Sequence, residues 1–150
     1  MKAEIMKLHC IKDKEVEYTM RGMKTNSALE IAKTVRTVFS TDYLPEEHMF
    51  VISLDCKLHI NGIFDMAHGQ IEACLVSKGD ILKRVLITNG CQFVIAHNHP
   101  SGDSSVSQSD IDFTRETIKA GNILGIPCID HLVLGNNEYI SIREMYPNMF

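Results

Sequence analysis

No stretch of this 150-residue sequence carries more than a few consecutive apolar residues. A helix that crosses a bilayer needs about 20, so no membrane span is expected. The N-terminal MKAEIMKLHC has no apolar core of signal-peptide length, which makes the cytoplasm the expected location. Positive charge is not in excess either: 15 Lys and Arg stand against 19 Asp and Glu, for a net charge of −4. Dedicated nucleic-acid binders are usually basic, so bulk charge argues against that class while leaving room for a local basic patch. The five cysteines, Cys10, Cys56, Cys74, Cys91 and Cys128, contain no CxxC pair. Their odd number and the expected compartment make them free thiols, and a Cys-based zinc knuckle is excluded. Internal repeats, linkers and low-complexity tracts are missing as well.

What is present suits one domain around one core. Hydrophobic residues make up 45% and charged residues 23%, ordinary for a globular chain. Residues 1–22 alternate as a β-hairpin around the charged IKDKE turn. Ser27 to Phe39 has helical periodicity and opens on a Ser27–Glu30 capping box; Pro45 breaks the pattern that follows. Met49 to Leu54 is nearly all apolar, which predicts a central strand buried on both faces. Leu58 to Phe64 returns as a second strand, with His59 on its surface, and Asp65 to Ala73 reads as a turn. A helix is expected over Lys78 to Thr88, stopped by Asn89-Gly90. A strand follows over Gln92 to Ala96. Ser107 to Ala120 reads as a third helix with Gly121 at its C′ position. Cys128 to Leu134, the turn Gly135-Asn136-Asn137 and Tyr139 to Ile142 form a hairpin, ahead of an irregular tail. Helices and strands that alternate in this way predict a three-layer α/β/α sandwich on a mixed sheet. Residues 1–40 supply the hairpin and first helix, and residues 41–150 the rest of the same domain.

The densest chemistry lies in HNHPSGDSSVSQSDIDFT, His97 to Thr114. His97 and His99 are two apart on an extended segment, so their imidazoles face one point. Asp110 comes eleven residues after His99, and Gly102 with its small neighbours lets the loop fold back to bring that carboxylate in. Two imidazole nitrogens and one carboxylate oxygen suit one zinc ion and leave a fourth position for water, the pattern of a catalytic site. A water held there has a lowered pKa and needs a base. Glu47 and Glu46, just before the Met49 strand, both qualify by spacing. Ser107 is placed to donate to a developing oxyanion. It also pairs with Asp110 as a helix cap, and the two duties are compatible. Asp103 reads as a turn acid and His48 as a neighbour of the base. His131 reads as a strand-end histidine hydrogen-bonded in place, with contact to the metal's surroundings or a substrate as the alternative.

The pattern H-x-H-x10-D, with Ser three before the Asp and a Glu upstream, resembles the JAMM (JAB1/MPN) metalloprotease motif, most closely its RadC-like branch. The resemblance rests on His97-Asn98-His99-Pro100-Ser101-Gly102-Asp103, Ser107, Asp110 and Thr114. Glu47-His48-Met49 with Leu54-Asp55 extends it upstream. Ile123-Leu124-Gly125-Ile126, Asp130-His131 and Ser141-Ile142-Arg143-Glu144 extend it downstream. It covers roughly residues 40–145. It departs at Val106, where the family usually has Pro, and at Ser77-Lys78-Gly79, where it has Pro-Arg-Glu. The resemblance implies a JAB/MPN domain of cytidine-deaminase-like architecture and a zinc-dependent peptidase or isopeptidase with Glu47, not Glu46, as base. Full-length members carry an N-terminal helix-hairpin-helix module; residues 1–40 are instead expected to form a hairpin and one helix.

Two functions are therefore expected. The first is a zinc hydrolase in which His97, His99 and Asp110 hold the ion, Glu47 is the base and Ser107 steadies the oxyanion on a protein or peptide substrate. The alternative is a DNA-repair-associated accessory protein or nucleic-acid hydrolase with a zinc site, for which a basic face at Lys78, Lys83 and Arg84 would count. The hairpin at residues 1–22 also offers a strand edge to a second chain.

Overall fold

Burial along the inner strands splits the core in two. In this computed structural model, which describes residues 28–68 and 76–150, Phe50, Ile52, Leu54, Val94 and Ala96 pack in one cluster with Ala28, Ile31, Ala32 and Val35 of helix α1 (Ala28–Phe39). Met49, Val51, Phe93 and Ile95 fall in a second cluster. It holds Ile81, Leu82 and Val85 of α2 (Lys78–Ile87) and Phe113 and Ile118 of α3 (Gln108–Ile123). Even and odd positions of one strand point to opposite faces, so a strand apolar at both parities must be sandwiched. The result is the expected α/β/α arrangement, with α1 on one face and α2 and α3 on the other.

Among the described residues the sheet has five strands in the order β2-β1-β3-β4-β5. They are β1 (His48–Leu54), β2 (Ile60–His68), β3 (Gln92–Asn98), β4 (Cys128–Leu134) and β5 (Tyr139–Ser141). Among the described residues only the β3–β4 pair is parallel, so the sheet is mixed. β1 and β3 are interior and almost wholly buried, as their apolar runs predict.

Several boundaries differ from expectation. β2 runs on to His68, through half of the expected turn, because its antiparallel ladder with β1 continues to His48↔His68. A bulge between Met49 and Phe50 absorbs the irregularity. Gly121 is not a C′ residue: α3 continues to Ile123, and Gly125 takes the left-handed conformation at φ 68°. Gly121 is small for another reason, since a Cβ there would lie 2.4 Å from the Ile126 carbonyl oxygen. The tail is ordered as a short helix α4 (Ile142–Met145) and a 3-10 turn over Pro147–Met149. Ser141 caps α4 by accepting from the Glu144 N–H, an S-x-x-E signal like that of the longer helices. The expected hairpin at residues 1–22 and the cap residue Ser27 lie outside the described residues. Among the described residues no helix is long and apolar enough to cross a membrane.

Candidate metal centre

Three elements meet at the C-terminal end of β3. β3 brings His97 and carries the chain to His99, β1 is entered from Glu47, and α3 begins beside them. β1 and β3 are antiparallel with Met49 opposite His97. Extending that register by one pleat sets residue 47 against residue 99. Parity thus sends Glu47 to the histidine face and Glu46 away from it.

The donor atoms converge. His97 Nε2 lies 3.0 Å from His99 Nε2, 3.4 Å from Asp110 Oδ1 and 3.9 Å from Glu47 Oε1. Glu47, His97 and His99 form a candidate metal-binding group, with one donor atom from each all within 4.8 Å of one another. Asp110 reaches the same nitrogen from the first turn of α3. Its other oxygen is held by Ser107, whose N–H and Oγ lie 2.8 and 2.6 Å from Oδ2, while the Asp110 N–H returns a bond to Ser107 Oγ. This is the reciprocal capping box that the S-x-x-D spacing predicts. Here it also directs Oδ1 toward the histidines.

Burial shapes the electrostatics. His97 is completely enclosed, and loss of solvent pushes its pKa down to about 4, with Asp110 opposing the shift. The Glu47 carboxyl is held above its ordinary range, chiefly by burial. His131, also enclosed, is driven well below the usual histidine value by the same cause. His99 Nδ1 donates to the Asp103 carbonyl oxygen at 2.6 Å. The Asp103 side chain binds Ser105, as a turn acid should.

The family profile of the RadC-like JAB domain matches residues 25–147. This chain belongs to that family. A UPF0758 protein of Desulfitobacterium hafniense is 40% identical over 119 residues, which cover 79% of this chain and 52% of the relative. One from Chloroflexus aurantiacus is 36% identical over 102 residues, covering 68% and 44%. One from Clostridium beijerinckii is 37% identical over 101 residues, covering 67% and 44%. The chain spans about half the length of the curated relatives it matches.

The residues of this RadC-like JAB domain fit a metal ion. With its Nδ1–H given to a carbonyl, His99 turns Nε2 to the site. Glu47 stands in the same close donor group, and Asp110 Oδ1 lies near His97 Nε2 although outside that group. A group of donors of this kind could hold a metal ion.

Sequence reasoning passed over Asn98. It is buried on the opposite face from His97, where its Oδ1 accepts from the His48 N–H at 2.9 Å and its Nδ2 donates to the Glu46 carbonyl at 3.1 Å. One amide therefore clamps both neighbours of Glu47. A buried amide in an apolar strand was the available signal. His131, read as a strand-end histidine hydrogen-bonded in place, is in direct contact with His97. Beside the site, a cavity of about 170 Å³ opens among Thr41, Leu44, Asn98, His99, Pro100 and Asn136.

Proposed function

We propose that this RadC-like JAB domain is a zinc-dependent hydrolase of amide or isopeptide bonds. The observation that carries the reading is the gathering of the His97 and His99 nitrogens with a Glu47 carboxylate oxygen, while Asp110 Oδ1 stands 3.4 Å from His97 Nε2 and outside that mutually close group. His97 and His99, each through Nε2, and Asp110, through Oδ1, would hold the ion. Zinc, when bound, lowers the pKa of water and polarises a scissile carbonyl. Glu47 takes the proton of the attacking water and passes it to the leaving nitrogen. Its burial, which raises the carboxyl pKa, suits a group that must both accept and release a proton. Ser107 serves the oxyanion by turning its hydroxyl away from Asp110.

The test is a zinc assay on the purified chain followed by a peptide and isopeptide cleavage screen, with and without chelator. Zinc near one per chain and chelator-sensitive cleavage are expected. A zinc-loaded chain that cleaves nothing, or a Glu47→Gln protein that cleaves equally well, overturns the reading. The DNA-associated alternative gains no support from α2. Lys78 pairs with Glu116, and Lys83 and Arg84 both lean on Asp80, so the basic face it needs is met by acids.

A further inference from the structure

Behind His97 the protein runs three polar groups in series through its core. His97 Nδ1 lies 2.8 Å from His131 Nε2. His131 Nδ1 lies 2.6 Å from Thr114 Oγ1, and that hydroxyl lies 2.6 Å from the Asp110 carbonyl oxygen. His97, His131 and Thr114 are all fully buried, so they must satisfy one another.

Each proton in the series has one place to go. A backbone carbonyl only accepts, so the Thr114 hydroxyl hydrogen is committed to Asp110. The Thr114 oxygen then accepts from His131, which puts the His131 proton on Nδ1. A neutral imidazole has a single N–H, so His131 Nε2 is bare and accepts from His97 Nδ1–H. That leaves His97 Nε2 bare, and Nε2 is the atom that faces His99 and Asp110.

We infer that Thr114 and His131 are positioning residues that set the tautomer of His97, so that its Nε2 is offered as a lone pair before any ion arrives. The inference rests on the proposed ligand role of His97. Metal-binding histidines usually give their second N–H to a carboxylate, a carbonyl or water. A histidine in that place is ambivalent, because it can donate or accept at either nitrogen. Thr114 removes the ambiguity by anchoring the series to the backbone of Asp110, one helical turn away. Two proposed ligands, His97 on β3 and Asp110 on α3, are thereby tied through β4. With the series reversed, His97 would carry its proton on Nε2, and loading an ion would require breaking and remaking buried hydrogen bonds.

The deciding experiment is long-range proton–nitrogen NMR on the metal-free, nitrogen-15-labelled chain at neutral pH. His97 and His131 are both expected as Nδ1–H tautomers; a proton on Nε2 of either one overturns the inference. Zinc dissociation constants from chelator competition supply the second reading. Thr114→Val, which keeps the shape and deletes the hydroxyl, is expected to weaken zinc roughly 10- to 100-fold and to mix the His97 tautomers. Thr114→Ser, which restores the hydroxyl, is expected to recover both. A folded Thr114→Val protein with unchanged zinc affinity and an unchanged His97 tautomer also overturns the inference. If the valine variant does not fold, the wild-type spectrum decides alone. A wild-type chain that binds no zinc sinks the metal reading instead, while the tautomers of the metal-free chain still judge this one.

Discussion

His97 Nε2 and His99 Nε2 face each other across 3.0 Å. With both ring protons on the Nδ1 side, as inferred above, the two nitrogens would meet lone pair to lone pair, a contact that a bound cation would relieve. The strand supplies that approach through its two-residue repeat, and Asp110 and Glu47 add negative charge around it.

Asp110→Asn should separate the two duties of Asp110. The amide oxygen still accepts from Ser107 N–H, so the helix cap is largely kept and stability should change by less than about 1 kcal/mol. Zinc affinity, read by chelator competition, should drop by about 100-fold or more, beyond the loss typical of an outer hydrogen-bond partner. Full zinc occupancy in this variant would remove Asp110 from the ligand set.

Glu47→Gln distinguishes base from ligand. Because Glu47 lies within the convergent donor group, the structure permits either role. A base assignment predicts that zinc stays bound while turnover falls roughly 100- to 10,000-fold. Zinc lost together with turnover would make Glu47 a ligand and send the search for the base elsewhere.

Asn98→Ala tests the clamp on Glu47. The substitution strips partners from the Glu46 carbonyl and the His48 N–H, at a cost of about 1–3 kcal/mol. Misplacing a reacting group by an ångström can cost up to about 100-fold in rate, so kcat should fall far more than zinc affinity. Equal losses in both would mean that Asn98 supports the whole site rather than the base.

Metal-free protein should lose stability as pH falls. The folded His97 has a pKa of about 4 against an ordinary 6.5, and His131 is lowered in the same sense. Between those values the unfolded chain binds more protons than the folded one, so this contribution is whole above pH 6.5 and drains away toward pH 4. For His97 alone it is on the order of 3 kcal/mol. Raised Glu47 and Asp130 act oppositely, while the lowered carboxyls of Asp55, Asp80, Asp103 and Glu116 act with the histidines. Urea midpoints of chelator-treated protein at pH 7 and pH 4.5 give the comparison; a flat profile would contradict the burial of these rings.

Gly121→Ala should destabilise the fold although it lies inside a helix. Helix propensity alone favours Ala by about 1 kcal/mol. The new Cβ would sit 2.4 Å from the Ile126 oxygen and 3.3 Å from the Phe93 ring, and overpacking of that kind costs about 1–3 kcal/mol. A lower melting temperature is expected; a higher one would show that the Ile126 segment yields freely.

Much was written in the sequence because it depends on neighbours. Strand periodicity and apolar runs placed β1, β3 and β4, since a side chain's face follows from its parity alone. The Ser107–Asp110 cap and the His97–His99 pair are local in the same way. What the tertiary structure decided depends on register. Glu47 rather than Glu46 meets the histidines because the antiparallel ladder aligns Met49 with His97, a pairing that spacing cannot state. His131 reaches His97 because β4 pairs with β3 through an irregularity, with Phe93 opposite Cys128 but Val94 opposite Asp130. That extra residue shifts the parity of β4, so that Cys128 and His131 both face α3. Strict alternation would have put His131 on the other side of the sheet. A bulge is a property of two strands together, and one strand's letters do not carry it.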